Sequence, residues 1–372
     1  MCTSADSGLR YLINNDTSFT VKLHSYYAIE IHVLRLKMKK MSWNKIHKGQ
    51  TPIKVLGITV LVFLMLMSTS GAVPFAYITN SGSNTVSVID TATNKITATV
   101  NLESPHFPFE VAVTPDGTKV YFTNPINNTV FVIDTSTNSI TANVSVGVHP
   151  RGVAVTPDGK KVYVANSGDN TVYVIDAKAN KVTAMVNVGT NPFGAAVNPA
   201  VTKVYVVNYG SNNVSIIDTA TNRIRATVNV GQKPYGVAVT PDGTKVYVTN
   251  SGSYNVPGNV SVIDTNTNEV ISTVKVGNKP KGVAVGPTGK KVFVTNFFSQ
   301  NVSVINTATN MVTATVKVGN FPLGVAVDPD GTKVYVANAG DATISVIDTA
   351  TNMVTATVKV GKRPVGVAVT PK

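Results

Sequence analysis

The chain of 372 residues has one cysteine, one tryptophan and five histidines, and only 14% of its residues are charged. The single cysteine, Cys2, excludes a disulfide framework, thiolate metal sites and covalently attached haem, and it leaves the compartment undetermined. Hydrophobic residues make up 43% of the chain, and valine, threonine, asparagine and glycine are abundant. This composition indicates an ordered, β-rich protein, because a disordered chain carries few β-branched residues.

One long apolar run lies near the N-terminus. Basic residues precede Val55–Ala72, which is apolar and ends in the small residues Ser70, Gly71 and Ala72. This order is typical of a secretory signal peptide and predicts cleavage near Val73. The alternative is an uncleaved signal anchor over Ile53–Val73, which is long enough to cross a membrane.

The sequence therefore predicts two parts, an N-terminal extension with a signal over residues 1–72 and a domain over residues 73–372. An n-region is normally short, so a translation start at Met38 or Met41 is an alternative to Met1. Of the 32 basic and 19 acidic residues, 23 and 16 follow Ala72, so the net charge of +13 falls to +7. This balance, together with export, argues against nucleic acid as a partner.

From Phe75 onward one unit is repeated. Its marker, a tyrosine three residues before an asparagine, recurs every 42 to 46 residues and once has phenylalanine instead. The markers begin at Tyr77, Tyr121, Tyr163, Tyr205, Tyr247, Phe293 and Tyr335. Each unit contains four short β-forming runs, here named strands a to d, which are separated by turn residues such as Pro241-Asp242-Gly243. Such a unit predicts a four-stranded antiparallel sheet.

The number of strands predicts how the sheets are arranged. Strands b, c and d each occur seven times, but the first strand b has no strand a before it, and the seventh strand a is the C-terminal tail. The tail completes the first sheet if the sheets form a ring, which removes both open edges. The predicted fold is all-β, a seven-bladed β-propeller closed by the C-terminal strand in blade 1.

The words "YVTN" at Tyr247, "FVTN" at Phe293 and "GVAVTPDGTKVYV" at Gly236 carry a family resemblance. From Phe75 to Lys372 the chain resembles the YVTN-repeat β-propellers of archaeal surface-layer and other cell-surface proteins. The resemblance implies a secreted, cell-surface propeller that acts as a structural or adhesion scaffold and not as an enzyme. Its implied partners are a cell-surface protein or glycan, or further copies of itself in a layer.

Two alternatives remain open. One is a propeller module that binds carbohydrate or peptide, and the other is a propeller enzyme of the lactonase or oxidoreductase type. Such enzymes need carboxylates, histidines or arginines that converge at the channel mouth, and the sequence shows few of these residues. No catalytic residue, cofactor or metal is predicted.

Histidine and aspartate offer the only candidates for chemistry. His106 and His149 lie in neighbouring crossovers, and with Glu103 or Asp169 they would make a two-histidine, one-carboxylate metal site. The alternative is a pair of solvated loop histidines. An aspartate follows strand c in six units, and Asn306 replaces it in the other. Asparagine caps a turn equally well, so a turn-capping role is predicted for the aspartates.

The loops predict two unlike faces. The turn face, made by the a–b and c–d turns, is nearly constant and rich in lysine, which predicts a solvated basic rim. The crossover face, made by the d–a crossovers and b–c loops, varies and carries aromatic and cationic residues. The predicted binding face consists of Phe107, Arg151, Phe193, Tyr235, Lys281, Phe297, Phe298, Phe321 and Arg363. Ordinary divergence of loops between repeats is the alternative explanation.

Asparagine-linked glycosylation is a further prediction. Five sequons follow the signal, at Asn127, Asn143, Asn213, Asn259 and Asn301. Three of these asparagines occupy one repeat position at the start of strand c, where a glycan is expected to face outward.

Overall fold

The structure, a computed structural model, describes residues 74–103, 106–252 and 256–372 in full and the backbone of two N-terminal strands. The predictions of a signal over Val55–Ala72, of an anchor over Ile53–Val73 and of a start at Met38 or Met41 lie outside the described residues and stay predictions. The chain divides into two units, Met1–Ser68 and Thr69–Lys372. In the first unit, β1 (Leu9–Asn14) and β2 (Ser18–Leu23) form an antiparallel pair.

The second unit is built from seven four-stranded antiparallel sheets, as the sequence predicts. The innermost a strands are β6 (Val111–Val113), β10 (Pro150–Val155), β14 (Pro192–Val197), β18 (Pro234–Val239), β22 (Pro280–Val285), β26 (Pro322–Val327) and β30 (Pro364–Val369). The b strands are β3 (Phe75–Asn80), β7 (Lys119–Asn124), β11 (Lys161–Asn166), β15 (Lys203–Asn208), β19 (Lys245–Asn250), β23 (Lys291–Asn296) and β27 (Lys333–Asn338). The c strands are β4 (Thr85–Asp90), β8 (Thr129–Asp134), β12 (Thr171–Asp176), β16 (Asn213–Asp218), β20 (Pro257–Asp264), β24 (Asn301–Asn306) and β28 (Thr343–Asp348). The outermost d strands are β5 (Lys95–Asn101), β9 (Ser139–Ser145), β13 (Lys181–Asn187), β17 (Arg223–Asn229), β21 (Glu269–Asn278), β25 (Met311–Lys317) and β29 (Met353–Lys359).

The C-terminal strand closes the ring, which confirms the predicted topology. β30 pairs antiparallel with β3, so blade 1 has the order β30-β3-β4-β5. Val367 lies opposite Ile78, and the Phe75 amide donates a 2.8 Å hydrogen bond to the Thr370 hydroxyl. Along the described ranges, no helix is long and apolar enough to cross a membrane.

The core lies between the blades and explains why the repeats require one another. The b strands are almost wholly buried, whereas the d strands alternate between exposed and half-buried positions. Each blade packs its apolar side chains against those of the next blade in a separate cluster, for example Tyr247, Val260 and Val262 against Val292 and Val294. A single sheet has no other means of covering these faces, so neighbouring blades stabilise one another.

The repeated tyrosine is an inter-blade hydrogen-bond donor, except in blade 4, where the Tyr205 hydroxyl and Oδ1 of Asn268 are both buried without a partner among the described residues. The Tyr247 hydroxyl donates to Oδ1 of Asn310, in the c–d turn of the next blade, at 3.0 Å. Tyr77 makes the same bond to Asn138 at 2.8 Å. Burial raises the pKa of Tyr247 to about 12, so the hydroxyl remains a donor at any ordinary pH. In blade 6 the donor is missing, because Phe293 replaces tyrosine and Oδ1 of Asn352 is buried without a partner.

Phe293→Tyr is therefore expected to stabilise the propeller by about 1 kcal/mol, the usual net value of one hydrogen bond. The new hydroxyl supplies the donor that Oδ1 of Asn352 lacks. A rise of a few degrees in the melting temperature is the measurement. Tyr247→Phe is the matched control and is expected to lower the melting temperature by a similar amount. Equal melting temperatures for wild type and Phe293→Tyr would contradict the role assigned to the tyrosine.

The turn face differs from its prediction in the role of the lysines. The first lysine of each strand b from blade 2 to blade 7 reaches a backbone carbonyl in the next blade; Lys245 Nζ, for instance, donates to the Thr307 carbonyl at 2.6 Å. The other five bonds are made by Lys119, Lys161, Lys203, Lys291 and Lys333. The expectation of a solvated rim is wrong for these residues, because they connect blades. Lys160 does point to solvent, with 79% of its side chain exposed.

The turn-capping role predicted for the aspartates is confirmed. Oδ1 of Asp134 accepts hydrogen bonds from the amides of Ser136 and Thr137. Asn306 accepts the equivalent bonds from the amides of Ala308 and Thr309. The Ser136 hydroxyl, which also donates to Oδ1 of Asp134, and the Thr137 amide favour the ionised form and lower the pKa of Asp134.

Candidate active site at the channel mouth

Two rings of side chains surround the channel where each crossover enters strand a. A proline marks the entry in every blade, and we name the residues before it the outer ring and those after it the inner ring. The outer ring consists of Phe107, His149, Asn191, Lys233, Lys279, Phe321 and Arg363. The inner ring consists of Phe109, Arg151, Phe193, Tyr235, Lys281, Leu323 and Val365. The b–c loop of each blade pairs with the same crossover, as in the 3.1 Å bond from the Phe297 amide to the Lys279 carbonyl.

A repeated backbone turn orients the outer ring. Six of its seven residues have a positive φ of 51° to 54°, Phe107 being the exception. The amides of His149, Asn191 and Lys233 each donate to Oδ1 of an asparagine in the preceding blade; the Lys233 bond, to Asn212, is 2.8 Å long. Because the turn is fixed by the repeat, the residue type at this position varies without changing the fold.

Contacts bring the predicted binding-face residues together in three groups. The Arg151 guanidinium lies 4.7 Å from the centre of the Phe109 ring and 5.4 Å from that of Phe193. The Phe193 ring is 4.8 Å from Tyr235, and Lys281 Nζ is 3.8 Å from the centre of the Tyr235 ring.

The other two groups complete the rim. Phe297 from a b–c loop and Phe321 from the next crossover stack at 5.0 Å, and Phe298 packs 5.1 Å from Phe297. The Arg363 guanidinium lies 5.5 Å from the centre of the Phe107 ring. All nine residues of the predicted binding face thus lie around one mouth, and their role in binding stays a prediction.

The mouth carries a surplus of positive charge. Arg151, Lys233, Lys279, Lys281 and Arg363 belong to the two rings, which contain no acidic residue. Burial and the neighbouring charges of Lys279 and Lys233 lower the pKa of Lys281 to about 7. The carboxylates of Asp169 and Asp341 on the b–c loops are engaged by backbone amides of the crossovers, at Val148 and Asn320.

Below the inner ring the channel narrows to a throat. A cavity of about 100 Å³ is lined by strand a residues from six blades and by Phe109 and Glu110, which directly precede β6 in blade 2; most of the lining is glycine, alanine and valine. Its titratable side chains, within the described part of the chain, are Glu110, Arg151 and Tyr235. Burial lowers the pKa of Arg151 and raises that of Tyr235. Nε of Arg151 is buried and has no hydrogen-bond partner among the described residues.

Glu110 breaks the repeat at this level. The other six blades have glycine at this position, and the neighbouring backbone is so close that a Cβ on Gly324 would lie 2.2 Å from the Val365 carbonyl oxygen. Blade 2 accommodates a side chain because its crossover is longer and its strand a, β6, pairs over only Val111–Val113. Burial raises the pKa of Glu110 to about 7, although the Val111 amide partly opposes the shift.

Sequence reasoning missed Glu110. The signal was present, because glutamate stands in a column that otherwise contains glycine, and the longer crossover lies directly before it. A carboxyl group with a pKa near neutrality in a lined channel is a common feature of functional sites.

The two histidines do not form the metal site considered from the sequence. His106, His149, Glu103 and Asp169 are all described, and in this part of the chain no group of three such residues can hold a metal ion. Nδ1 of His106 instead contacts the side-chain amides of Asn124 and Asn127 at 2.7 and 2.9 Å. His149 lies on the outer ring and is exposed.

The three strand c sequons lie at equivalent positions beside the asparagine that ends strand b. Asn213, Asn259 and Asn301 are half-buried, and their Oδ1 atoms accept hydrogen bonds from the buried asparagine that ends strand b. A glycan is attached through Nδ2, which these hydrogen bonds do not engage, so glycosylation at these three positions stays a prediction. Asn127 and Asn143 are exposed, and their glycosylation stays a prediction.

Comparison with known proteins points to two families. Residues 167–370 match the model of the cytochrome D1 heme domain, and residues 67–191 match that of the lactonase 7-bladed beta-propeller. No curated protein gives a significant match to the chain.

Solved propellers support the fold. Hydrazine synthase from Kuenenia stuttgartiensis is 23% identical, with 70% of this chain and 88% of that chain covered and a TM-score of 0.65. A functionally unknown protein from Desulfotomaculum acetoxidans is 17% identical, with 80% and 99% covered and a TM-score of 0.70. Dihydro-heme d1 dehydrogenase NirN in complex with DHE is 14% identical, with 79% and 74% covered and a TM-score of 0.57. At these identities the similarity supports the fold alone.

These matches correct the predicted function. The expectation of a non-enzymatic surface scaffold is wrong, because the matching families are those of a heme domain and of an enzyme. Membership of a β-propeller family is confirmed, whereas the resemblance to archaeal surface-layer proteins is not. The enzymatic alternative accounts for the matches better. The error came from the repeat words, which encode the blades and carry no information about the mouth.

Proposed function

We propose, since this chain belongs to the cytochrome D1 heme domain family, that its crossover face binds a flat, acidic tetrapyrrole and that the protein is an oxidoreductase. The observation that carries the proposal is the mouth itself, where five arginine and lysine side chains and packed aromatic rings surround one channel. The sequence predicted no cofactor, but the family implies one.

The charge of the mouth fits such a group. Tetrapyrroles carry carboxylates at their edge, and arginine and lysine pair with carboxylates through charge-assisted hydrogen bonds. Lys233 and Lys279 on the outer ring, with Lys281 on the inner ring, supply these donors from the adjacent blades 5 and 6.

The aromatic residues fit the plane of the macrocycle. Phe321 is 41% exposed and rests on Phe297, while Phe193 and Tyr235 lie on another part of the inner ring. Aromatic side chains pack favourably on flat conjugated ligands.

The throat cavity is too small to hold a tetrapyrrole, and this limits where the tetrapyrrole could bind. Pockets that enclose drug-sized ligands have volumes of about 300–1,000 Å³, and the throat cavity has about 100 Å³. A tetrapyrrole would therefore lie across the mouth, above the inner ring. His149 is the exposed imidazole of the outer ring and the residue best suited to ligate iron.

The bound group would supply electron transfer and an iron centre for small substrates. The chain's own residues would orient the macrocycle, exclude water from its lower side and hold a proton at Glu110 beneath it. The raised pKa of about 7 suits Glu110 to proton transfer near neutral pH.

Titration of the purified propeller with iron protoporphyrin, a flat and acidic tetrapyrrole, tests this proposal. We expect saturable binding that shifts the heme absorption bands. A variant with Lys233, Lys279 and Lys281 replaced by alanine should bind at least tenfold more weakly, because three charge-assisted contacts are lost.

Two further variants define the site. His149→Ala is expected to alter the absorption bands more than the affinity. Lys160→Ala, on the turn face, is the matched control and should change neither. Binding that is unaffected by the triple replacement, or no binding at all, would overturn the proposal.

A further inference from the structure

The throat beneath the mouth has the features of a second, smaller site. It is lined by residues from every blade, and most of these residues are glycine, alanine or valine. Its volume of about 100 Å³ is well below the roughly 300–1,000 Å³ of pockets that enclose drug-sized ligands, so it suits a small molecule.

The polar groups of the throat are not satisfied by one another. Nε of Arg151 is buried without a partner, and no ion pair within 4.0 Å joins Arg151 to Glu110 in the described part of the chain. The guanidinium is held between the rings of Phe109 and Phe193, so it cannot easily turn towards the carboxyl group. Arg151 is half-buried and its buried Nε donor lacks a partner, so a bound anion would supply the missing contact.

Glu110 would add a second contact to a bound anion, but only when its carboxyl group is protonated. A protonated carboxyl donates a hydrogen bond, whereas an ionised one repels an anion. Among the residues that line the cavity, the titratable groups near Glu110 are Arg151 from β10 and Tyr235 from β18. β7, β14 and β30 contribute Thr123, Phe193 and Val365, which carry no charge.

We propose that the throat is a binding site for a small monoanion, such as a short carboxylate, held between the Arg151 guanidinium and the protonated Glu110 carboxyl. The inference does not require the tetrapyrrole, because each residue involved belongs to the throat. The inference gives a role to Glu110, which stands in blade 2 where the other six blades have glycine.

The pH dependence follows from the charge of Glu110. Since the pKa of Glu110 is raised to about 7, affinity for the anion should fall about tenfold from pH 6 to pH 8 as the carboxyl ionises. Lys281 titrates in the same range and lies on the Tyr235 ring, so its contribution must be separated by mutation.

Acetate is the probe, and its binding to the propeller without cofactor is measured by calorimetry and by saturation-transfer NMR. Wild type should bind more tightly at pH 6 than at pH 8. Glu110→Gln keeps a neutral donor at both pH values, so its affinity should not change with pH. Arg151→Met should lose binding altogether.

The controls make each outcome decisive. Glu110→Gly restores the residue found in the other six blades; it should fold, and it should bind weakly at both pH values. Lys160→Met lies on the turn face and should behave as wild type. A pH dependence that persists in Glu110→Gln would assign the titration to Lys281 and overturn the role of Glu110. Binding that survives in Arg151→Met would overturn the site.

Discussion

A chain that ends at Pro364 is expected to be unable to close the propeller ring within one copy. The missing residues, 365–372, include most of β30, which supplies strand a of blade 1. Val365 and Val367 are buried, and Val369 packs against the cluster between blades 7 and 1. Without them, β3 becomes an open edge and the two neighbouring cores are exposed to water.

The expected loss is comparable with the stability of a whole domain. Each buried valine contributes about 1.5–3 kcal/mol, and each hydrogen bond of the ladder contributes about 1 kcal/mol. A domain is typically stable by about 5–15 kcal/mol in total. The truncated chain should therefore unfold, or exchange strands between two copies, which gel filtration and thermal melting would detect.

Removal of Lys372 alone is the matched control. Its ammonium makes an exposed ion pair with Asp330 at 2.5 Å, and exposed pairs contribute at most about 1 kcal/mol. This variant should remain a monomer with a nearly unchanged melting temperature. A monomeric 1–364 chain that melts at the wild-type temperature would show that β30 does not close the ring in solution.

The closure was predictable because it depends on counting. The first strand b has no strand a before it, and the last strand a has no strand b after it. These two strands complete a sheet only if they pair with each other, and β30 does pair with β3. The strand order within each blade was likewise fixed by turn residues at short range. The repeat sequences did not show that side chains such as Lys245 connect neighbouring blades. The acceptor of Lys245, the Thr307 carbonyl, lies 62 residues away in the sequence.

The mouth was predictable in location but not in chemistry. Arg151, Tyr235 and Lys281 follow a proline at the same repeat position, and that regularity placed them on one face. Their function depends on contacts around the ring between residues about 42 to 46 positions apart, and these form no local motif. From the sequence, an enzyme was also expected to need many histidines and carboxylates. This expectation was misleading, because in cofactor-dependent enzymes the cofactor supplies the reactive centre.

Glu110→Gln is expected to stabilise the propeller at neutral pH and to leave it unchanged at pH 4.5. The pKa of Glu110 rises from 4.5 to about 7 on folding, because burial disfavours the ionised carboxylate. The folded protein therefore holds the proton more tightly than the unfolded chain between these two pH values. Stability falls as pH rises through this window and then levels off above pH 7.

The size of the effect follows from the shift. Each pKa unit corresponds to about 1.4 kcal/mol, so ionised Glu110 destabilises the fold by about 3 kcal/mol at pH 7.5. Glutamine has no charge to lose and avoids this penalty. Other groups, including Lys281 with its lowered pKa, titrate in both proteins, so their effects cancel in the difference.

Urea denaturation of wild type and Glu110→Gln at pH 4.5, 6 and 7.5 measures this difference. The two free energies of unfolding should coincide at pH 4.5 and separate by about 3 kcal/mol at pH 7.5, with the variant more stable. Asp134→Asn is the control, because Asp134 is exposed and its pKa is lowered, so it titrates below this range. A constant difference across all three pH values would show that Glu110 ionises as it does in water, and the throat would then be wetter than its lining of glycine and valine implies.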